Sequence, residues 1–247
     1  MGLGSSFGIT SETNNNIQTD GLIGYWDAAY KKSYPRSGTT WTDLAGSNNG
    51  TLTNGPTFSS DNNGLIEFDG TNDFINLNSD YEEWTESAHK TCCVWFLNGG
   101  NTNEARIFNT GFDDSGDKTA FAIGVSNFSS STDNKPFYFL RTAAGGMLKA
   151  DFGDVMNTTD WNHLCLVHDG TANEGHCYQQ GVLKATVSNV GEITQATSDT
   201  AAMGVAWFNH SSYPLNGKIA CLQLYDRALS VEEINQNFNA QRSRFGI

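Results

Sequence analysis

The sequence predicts an all-β chain closed by one short helix, and three observations carry the prediction. Short apolar segments with alternating polar positions recur between loops of Asn, Asp, Gly and Ser, which is the period of half-buried strands. Thr91-Cys92-Cys93-Val94-Trp95-Phe96-Leu97 is apolar throughout, as a strand buried between two sheets must be. From Ser230 the period changes: Val231, Ile234 and Phe238 recur at three and four, and Ser230 with Glu233 writes a capping box.

Taken in order, residues 1–20 carry Gly, Ser, Thr and an Asn14-Asn15-Asn16 run with few apolar positions, and read as a polar N-terminal arm. Residues 21–247 read as a single domain, a length that one large all-β unit accommodates. Gly21 to Asp27 predicts the first strand, and a short strand is expected near Leu52. From Gly64 to Leu77, Leu65, Glu67 and Asp69 alternate with Ile66 and Phe68, Gly70-Thr71-Asn72-Asp73 breaks the run, and Phe74-Ile75-Asn76-Leu77 resumes it. The writing is that of a β-hairpin. Glu82-Glu83-Trp84 reads as polar rim. Further strands are expected over 105–110, 120–125 and 136–141, then at Trp161 to Gly170, whose partner 175–180 continues through Gly181 into 182–187. The last strands are placed at 203–208 and 217–225.

The balance of 14 Lys and Arg against 27 Asp and Glu leaves a net charge of −13. A surface of that sign repels phosphate backbones and anionic lipid, so nucleic acid and membrane are excluded as partners. The first residues lack the basic and apolar regions of a secretory signal, and no apolar run is long enough to span a bilayer. A protein made in the cytoplasm and left unprocessed is expected. Its five cysteines, Cys92, Cys93, Cys165, Cys177 and Cys221, are expected to be free buried thiols, since the neighbours Cys92 and Cys93 point to opposite faces of a strand. Their spacing suits no zinc site.

Phe68-Asp69-Gly70 followed by Asn72-Asp73-Phe74 resembles the central signature of laminin-G-like, concanavalin A-like domains. Gly24-Tyr25-Trp26, the Asp43 to Thr51 run, Trp161-x-His163 and the ending Tyr225-Asp226-Arg227-Ala228-Leu229-Ser230-x-Glu232-Glu233-Ile234 extend the resemblance in the right order. It implies an antiparallel two-sheet jelly-roll sandwich with one short C-terminal helix. The family groups lectins with glucanases, so both chemistries are at issue.

Glucanases of this fold carry Glu-x-Asp-x-x-Glu, because strand alternation sets acid and nucleophile on one face. Here Glu67 and Asp69 are present, but Asn72 stands where the last glutamate belongs, and Asp69 falls in the turn motif. His89, His163, His168, His176 and His210 lack an accompanying nucleophile turn, and His163 and His168 are expected to satisfy a hydrogen bond or to face solvent. No catalytic residue is expected. The one cofactor raised is calcium, with Asp43 and Asn48, closed by Asp73, as one candidate set and Asp113 to Asp117 as another; both also read as Asx turns. Sugar binding requires exposed aromatics beside amides and carboxylates. Trp207, Asn209, His210 and Tyr213 form such a loop, with Trp84 as a second rim candidate, although packing of Tyr213 over the sandwich edge is an equal reading.

The ending Phe238 to Ile247 is similar to the chain ends of laminin-G-like proteins encoded by tailed bacteriophages. With the unprocessed start, reduced cysteines and polar arm, it leads to the expectation of a non-enzymatic virion surface protein, a capsid decoration or a fibre or tail component. The arm, with or without the Arg242 to Ile247 tail, would attach it to other virion proteins, a homo-oligomer is compatible, and the jelly roll would contact host-surface glycan. The alternatives are a carbohydrate-binding module of a cell-surface or secreted system and a glucanase-type glycoside hydrolase.

Overall fold

A computed structural model describes residues 16–111, 119–125, 134–141, 147–188, 190–191, 199–206 and 212–247. The elements run β1 (Leu22–Asp27), β2 (Thr40–Trp41), β3 (Gly50–Thr53), β4 (Thr57–Ser59), β5 (Leu65–Asp69), β6 (Phe74–Asn76), α1 (Glu82–Glu86), β7 (His89–Asn98), β8 (Ala105–Gly111), β9 (Thr119–Val125) and β10 (Pro136–Arg141). There follow β11 (Met147–Asp151), β12 (Trp161–Asp169), β13 (Glu174–Gln179), β14 (Val182–Ser188), β15 (Asp199–Met203), β16 (Asn216–Tyr225) and α2 (Val231–Gln241).

They form two antiparallel eight-stranded sheets packed face to face, the jelly-roll sandwich that the sequence predicts. The first sheet has the order β14-β13-β12-β7-β16-β5-β4, with β1 also paired to β16; the second has the order β11-β10-β9-β8-β15-β6-β3-β2. Alternation along β7 shows how sequence divides between layers. Cys92, Val94 and Phe96 enter the core between the sheets, while Cys93 and Trp95 face outward beneath α2. Both faces of β7 are therefore buried, which is why its sequence is apolar without alternation.

The capping box forms as written: Ser230 Oγ accepts from the Glu233 amide at 3.3 Å and Glu233 Oε2 from the Ser230 amide at 2.9 Å. The helix lays Ile234 and Phe238 on the first sheet, and the turn after it adds Phe245, stacked on Trp95 at 4.2 Å between ring centroids. The Arg242 to Ile247 tail is thus part of the packed domain rather than a free attachment segment. Residues 16–20, read with the arm, also dock on this layer. The Gln18 amide donates to Asn237 Oδ1 at 2.7 Å, and Tyr225 Oη donates to the Gln18 carbonyl at 3.0 Å. Residues 1–15 lie outside the described residues.

Three local expectations are corrected. Leu65–Asp69 and Phe74–Asn76 do not pair as a hairpin: β5 lies in the first sheet between β16 and β4, and β6 in the second between β15 and β3. The stretch is an arch between the layers. Gly70, at φ +78, turns it where a side chain would meet Asn216, and Asp73 Oδ2 accepts from the Asp69 amide at 3.1 Å to hold it.

The cysteines are not all free, because Cys93 and Cys165 are directly opposite each other on β7 and β12 and form a disulfide. Cys92, Cys177 and Cys221 are buried thiols. His163 and His168 are both buried. The ring of His163 lies 5.1 Å from that of Trp95 and 5.7 Å from that of Phe238, so it meets aromatic surface rather than solvent.

Candidate functional site

One end of the sandwich gathers the last residue of β5, the last of β7 and the first of β16, and asparagines lock them together. Asn98 Oδ1 accepts from the Gly100 amide at 3.1 Å and from Asn101 Nδ2 at 2.8 Å, while Asn98 Nδ2 donates to Asn134 Oδ1 and to the Met156 carbonyl, each at 2.9 Å. Asn101 Nδ2 donates to the Asn216 carbonyl at 2.7 Å, and the Asn216 amide donates back to Asn101 Oδ1 at 2.9 Å. Asn98 and Asn101 are buried, so this network exchanges water for fixed partners and makes a rigid floor.

Over that floor lies a cleft of about 190 Å³ walled by Asp69, Gly70, the 100–104 loop, Pro214 and Asn216. Asp69, Thr102 and Asn103 present a carboxylate, a hydroxyl and an amide there, and all three are exposed. Behind the wall, buried Arg106 pairs with Glu104 at 2.6 Å and lies against the rings of Tyr213 and Phe137, each 5.0 Å from the guanidinium carbon. A second cleft of about 300 Å³ lies at the same end, lined by Asp154, Asn157, Asp160, Asn162, Gln179 and Lys184 among others. The two approach where Thr158 meets Gly100: a Cβ on Gly100 would stand 3.4 Å from Thr158 Cγ2. Both clefts are smaller than, or at the low edge of, the about 300–1,000 Å³ of drug-sized sites, which suits single sugar rings. A larger cavity than either, about 560 Å³, lies elsewhere, between β1, the 30 and 44 loops and the end of α2. It is bounded by Asn16, the first described residue, and two of its polar side chains are committed: Tyr25 Oη donates to Asp27, and Gln241 Oε1 accepts from Trp95 Nε1.

Of the residues that sequence nominates for sugar binding, Trp207, Asn209 and His210 lie outside the described residues, as do Asp113 to Asp117. Tyr213 is half-buried beside the first cleft. Trp84 is a correction. It is 3% exposed, on the one-turn helix α1, with Nε1 donating to the Tyr225 carbonyl at 2.8 Å and its ring edge-on to Phe121, so no face remains for a ligand. Two flanking glutamates give the segment a polar signature that the buried ring contradicts.

The calcium candidates are spread over separate structural tasks. Asp43 Oδ1 accepts from the amides of Tyr25 and Ala45 and its Oδ2 from that of Asn48, while Asp73 holds the arch. Burial pushes the Asp73 carboxyl up, against the pull of the Asp69 amide. Among the described residues no three His, Cys, Asp or Glu side chains converge on a common point for a metal. Of the carboxylates considered for hydrolysis, Glu67 pairs with Lys218 at 2.7 Å on the outer face of the first sheet, and Asp69 Oδ1 caps the turn by accepting from Thr71. Sequence reasoning passed over Asn101, Asn103 and Asn216. The Asn-Gly-Gly-Asn run after a fully buried strand was the signal for a structured rim.

A family model described as the concanavalin A-like lectin/glucanases superfamily matches residues 69–235. Among solved structures, a Trypanosoma rangeli sialidase in complex with the inhibitor DANA matches with a TM-score of 0.67 at 14% identity, over 92% of this chain and 34% of that one. The chain thus spans about a third of the sialidase. The binding domain of Paraclostridial Mosquitocidal Protein 1 matches with a TM-score of 0.65 at 14% identity, over 90% of this chain and 52% of that one. A Ruminococcus gnavus sialidase CBM40 bound to α2,3-sialyllactose matches with a TM-score of 0.58 at 16% identity, over 69% and 94%. At these identities the likeness is one of fold. No curated protein matches in sequence.

Proposed function

Because this chain belongs to the concanavalin A-like lectin/glucanase superfamily, we propose that it is a non-catalytic carbohydrate-binding module that takes a glycan at the asparagine-floored rim. The observation that carries the reading is the cleft in which Asp69, Thr102 and Asn103 are exposed over buried, fully bonded amides. Sugar hydroxyls need donors and acceptors already in place, and a floor that does not relax spares the ordering cost of binding. Pro214 lends apolar surface at the edge.

Catalysis is not part of the proposal. The Glu67 carboxylate is engaged by Lys218, Asp69 is a turn residue, and Glu104, the other acid of the Asp69 cleft, is paired with buried Arg106. The virion reading rested partly on reduced cysteines. The Cys93–Cys165 disulfide removes that support, and a disulfide suits the oxidising settings where modules of this kind meet glycans.

Glycan-array screening followed by calorimetry tests the proposal. Thr102→Ala/Asn103→Ala, both exposed positions, should weaken a bound glycan about tenfold or more with the melting temperature unchanged. Unchanged affinity would place the site elsewhere, and release of product from the bound glycan would make the protein an enzyme.

A further inference from the structure

Charge on the rim bears on which glycan it takes, an inference that rests on the carbohydrate-binding reading. The first cleft exposes Asp69, and no Lys or Arg among the described residues is paired with it. The second cleft carries Asp154 and Asp160. Lys184 neutralises Asp154 at 2.7 Å, but the contacts of Asp160 are neutral: Asn157 Nδ2 donates to its Oδ2 at 2.5 Å and Thr159 Oγ1 to its Oδ1 at 3.0 Å.

The cations nearby are spoken for or set back. Arg106 is fully buried and paired with Glu104, and Lys218 is held by Glu67 on the outer face. Lys135, which precedes β10, lines neither cleft. A ligand carboxylate in either cleft would therefore face an unneutralised protein carboxylate, inside the field of a chain of net charge −13. Like charges at contact distance oppose binding, and the opposition grows as water is excluded.

We propose that this rim takes a neutral or amino-bearing glycan and selects against sugars that carry a carboxylate, unlike the CBM40 domain of the same fold, which is bound to a sialylated lactose. The two aspartates at 69 and 160 act as the excluding groups, one in each cleft. Discrimination by a built-in repulsion needs no contact that a neutral sugar would lose.

The test is a matched panel measured by calorimetry on the full chain: lactose, α2,3-sialyllactose, and neutral and partly deacetylated chitin oligomers of equal length. Neutral or amino-bearing members should bind, and the sialic acid should weaken binding at least about tenfold in 50 mM salt, with the gap shrinking in 0.5 M salt as screening predicts. Asp69→Asn/Asp160→Asn, which keeps the turn acceptor at 69, should narrow the gap several-fold by strengthening the sialylated ligand. Binding of α2,3-sialyllactose equal to or tighter than lactose would overturn the charge selection while leaving the carbohydrate reading intact. Silence across the panel and a broader array would overturn the carbohydrate reading itself, and this inference with it.

Discussion

Arg244 Nη1 lies 2.8 Å from Asp27 Oδ1, joining the last turn of the chain to its first strand across 217 residues. Both side chains are almost withdrawn from solvent, and the guanidinium also donates to the carbonyls of Asn62 and Gly64. Burial pushes the Asp27 carboxyl up, while Arg244 and the Ala29 amide pull the other way. The pair, with Phe245 stacked on Trp95 and tilted against Trp161, clamps the chain end onto the first sheet.

Removing one partner of a buried ion pair leaves the other charged and dry, which costs about 3–5 kcal/mol. Arg244→Ala should therefore lower the unfolding free energy by that amount in urea titration. Arg242→Ala, which loses a position over the Phe238 ring 5.7 Å away, should cost under about 1 kcal/mol. Equal costs for the two variants would show that the tail is not clamped.

The disulfide gives a second, chemical prediction. Cys93 and Cys165 are neighbours in register with Cα atoms 4.1 Å apart, and the bond closes 72 residues of chain. In denaturant without reductant, three thiols should react with a maleimide, and five after reduction. Because a long closed loop restricts the unfolded chain, the Cys93→Ser/Cys165→Ser variant should be less stable by about 2–5 kcal/mol. Five reactive thiols before reduction would exclude the bond.

These two relationships mark where sequence stops being informative. Strands β1, β7, β12 and β16 and the α2 capping box were legible because alternation, an unbroken apolar run and Ser230-x-x-Glu233 are local signals. Strand partners are not local. The same writing serves a hairpin and an arch, and only the pairing of β5 with β16 and of β6 with β15 decides between them. The candidate site has the same character. Asp69 was visible as a turn residue, but the contact between Asn101 and Asn216 spans 115 positions, and neither residue type carries a signature of its own. Trp84 shows the opposite failure, a local signal of polarity overruled by a ring inserted between Phe108 and Phe121.

The buried histidines make stability fall with acid in a defined window. Burial among Trp95 and Phe238 pushes His163 down to about 3, and burial, helped by Lys90, does the same to His168. An unfolded histidine titrates near 6.5. Between those values the unfolded chain holds protons that the folded chain refuses, so the stability is present above about pH 6.5 and is lost progressively as pH falls toward 3. Each histidine contributes a slope of up to about 1.4 kcal/mol per pH unit inside the window. Carboxylates titrate in the lower half of the same range, so the comparison that isolates His163 is with His163→Phe, which keeps a ring against Trp95 and Phe238. Urea unfolding at pH 7.5, 6.5, 5.5 and 5.0 should show the wild type losing stability faster than the variant below pH 6.5. The gap between the curves should change by about 1 kcal/mol per pH unit. Parallel curves would mean that the ring takes up its proton in the folded state.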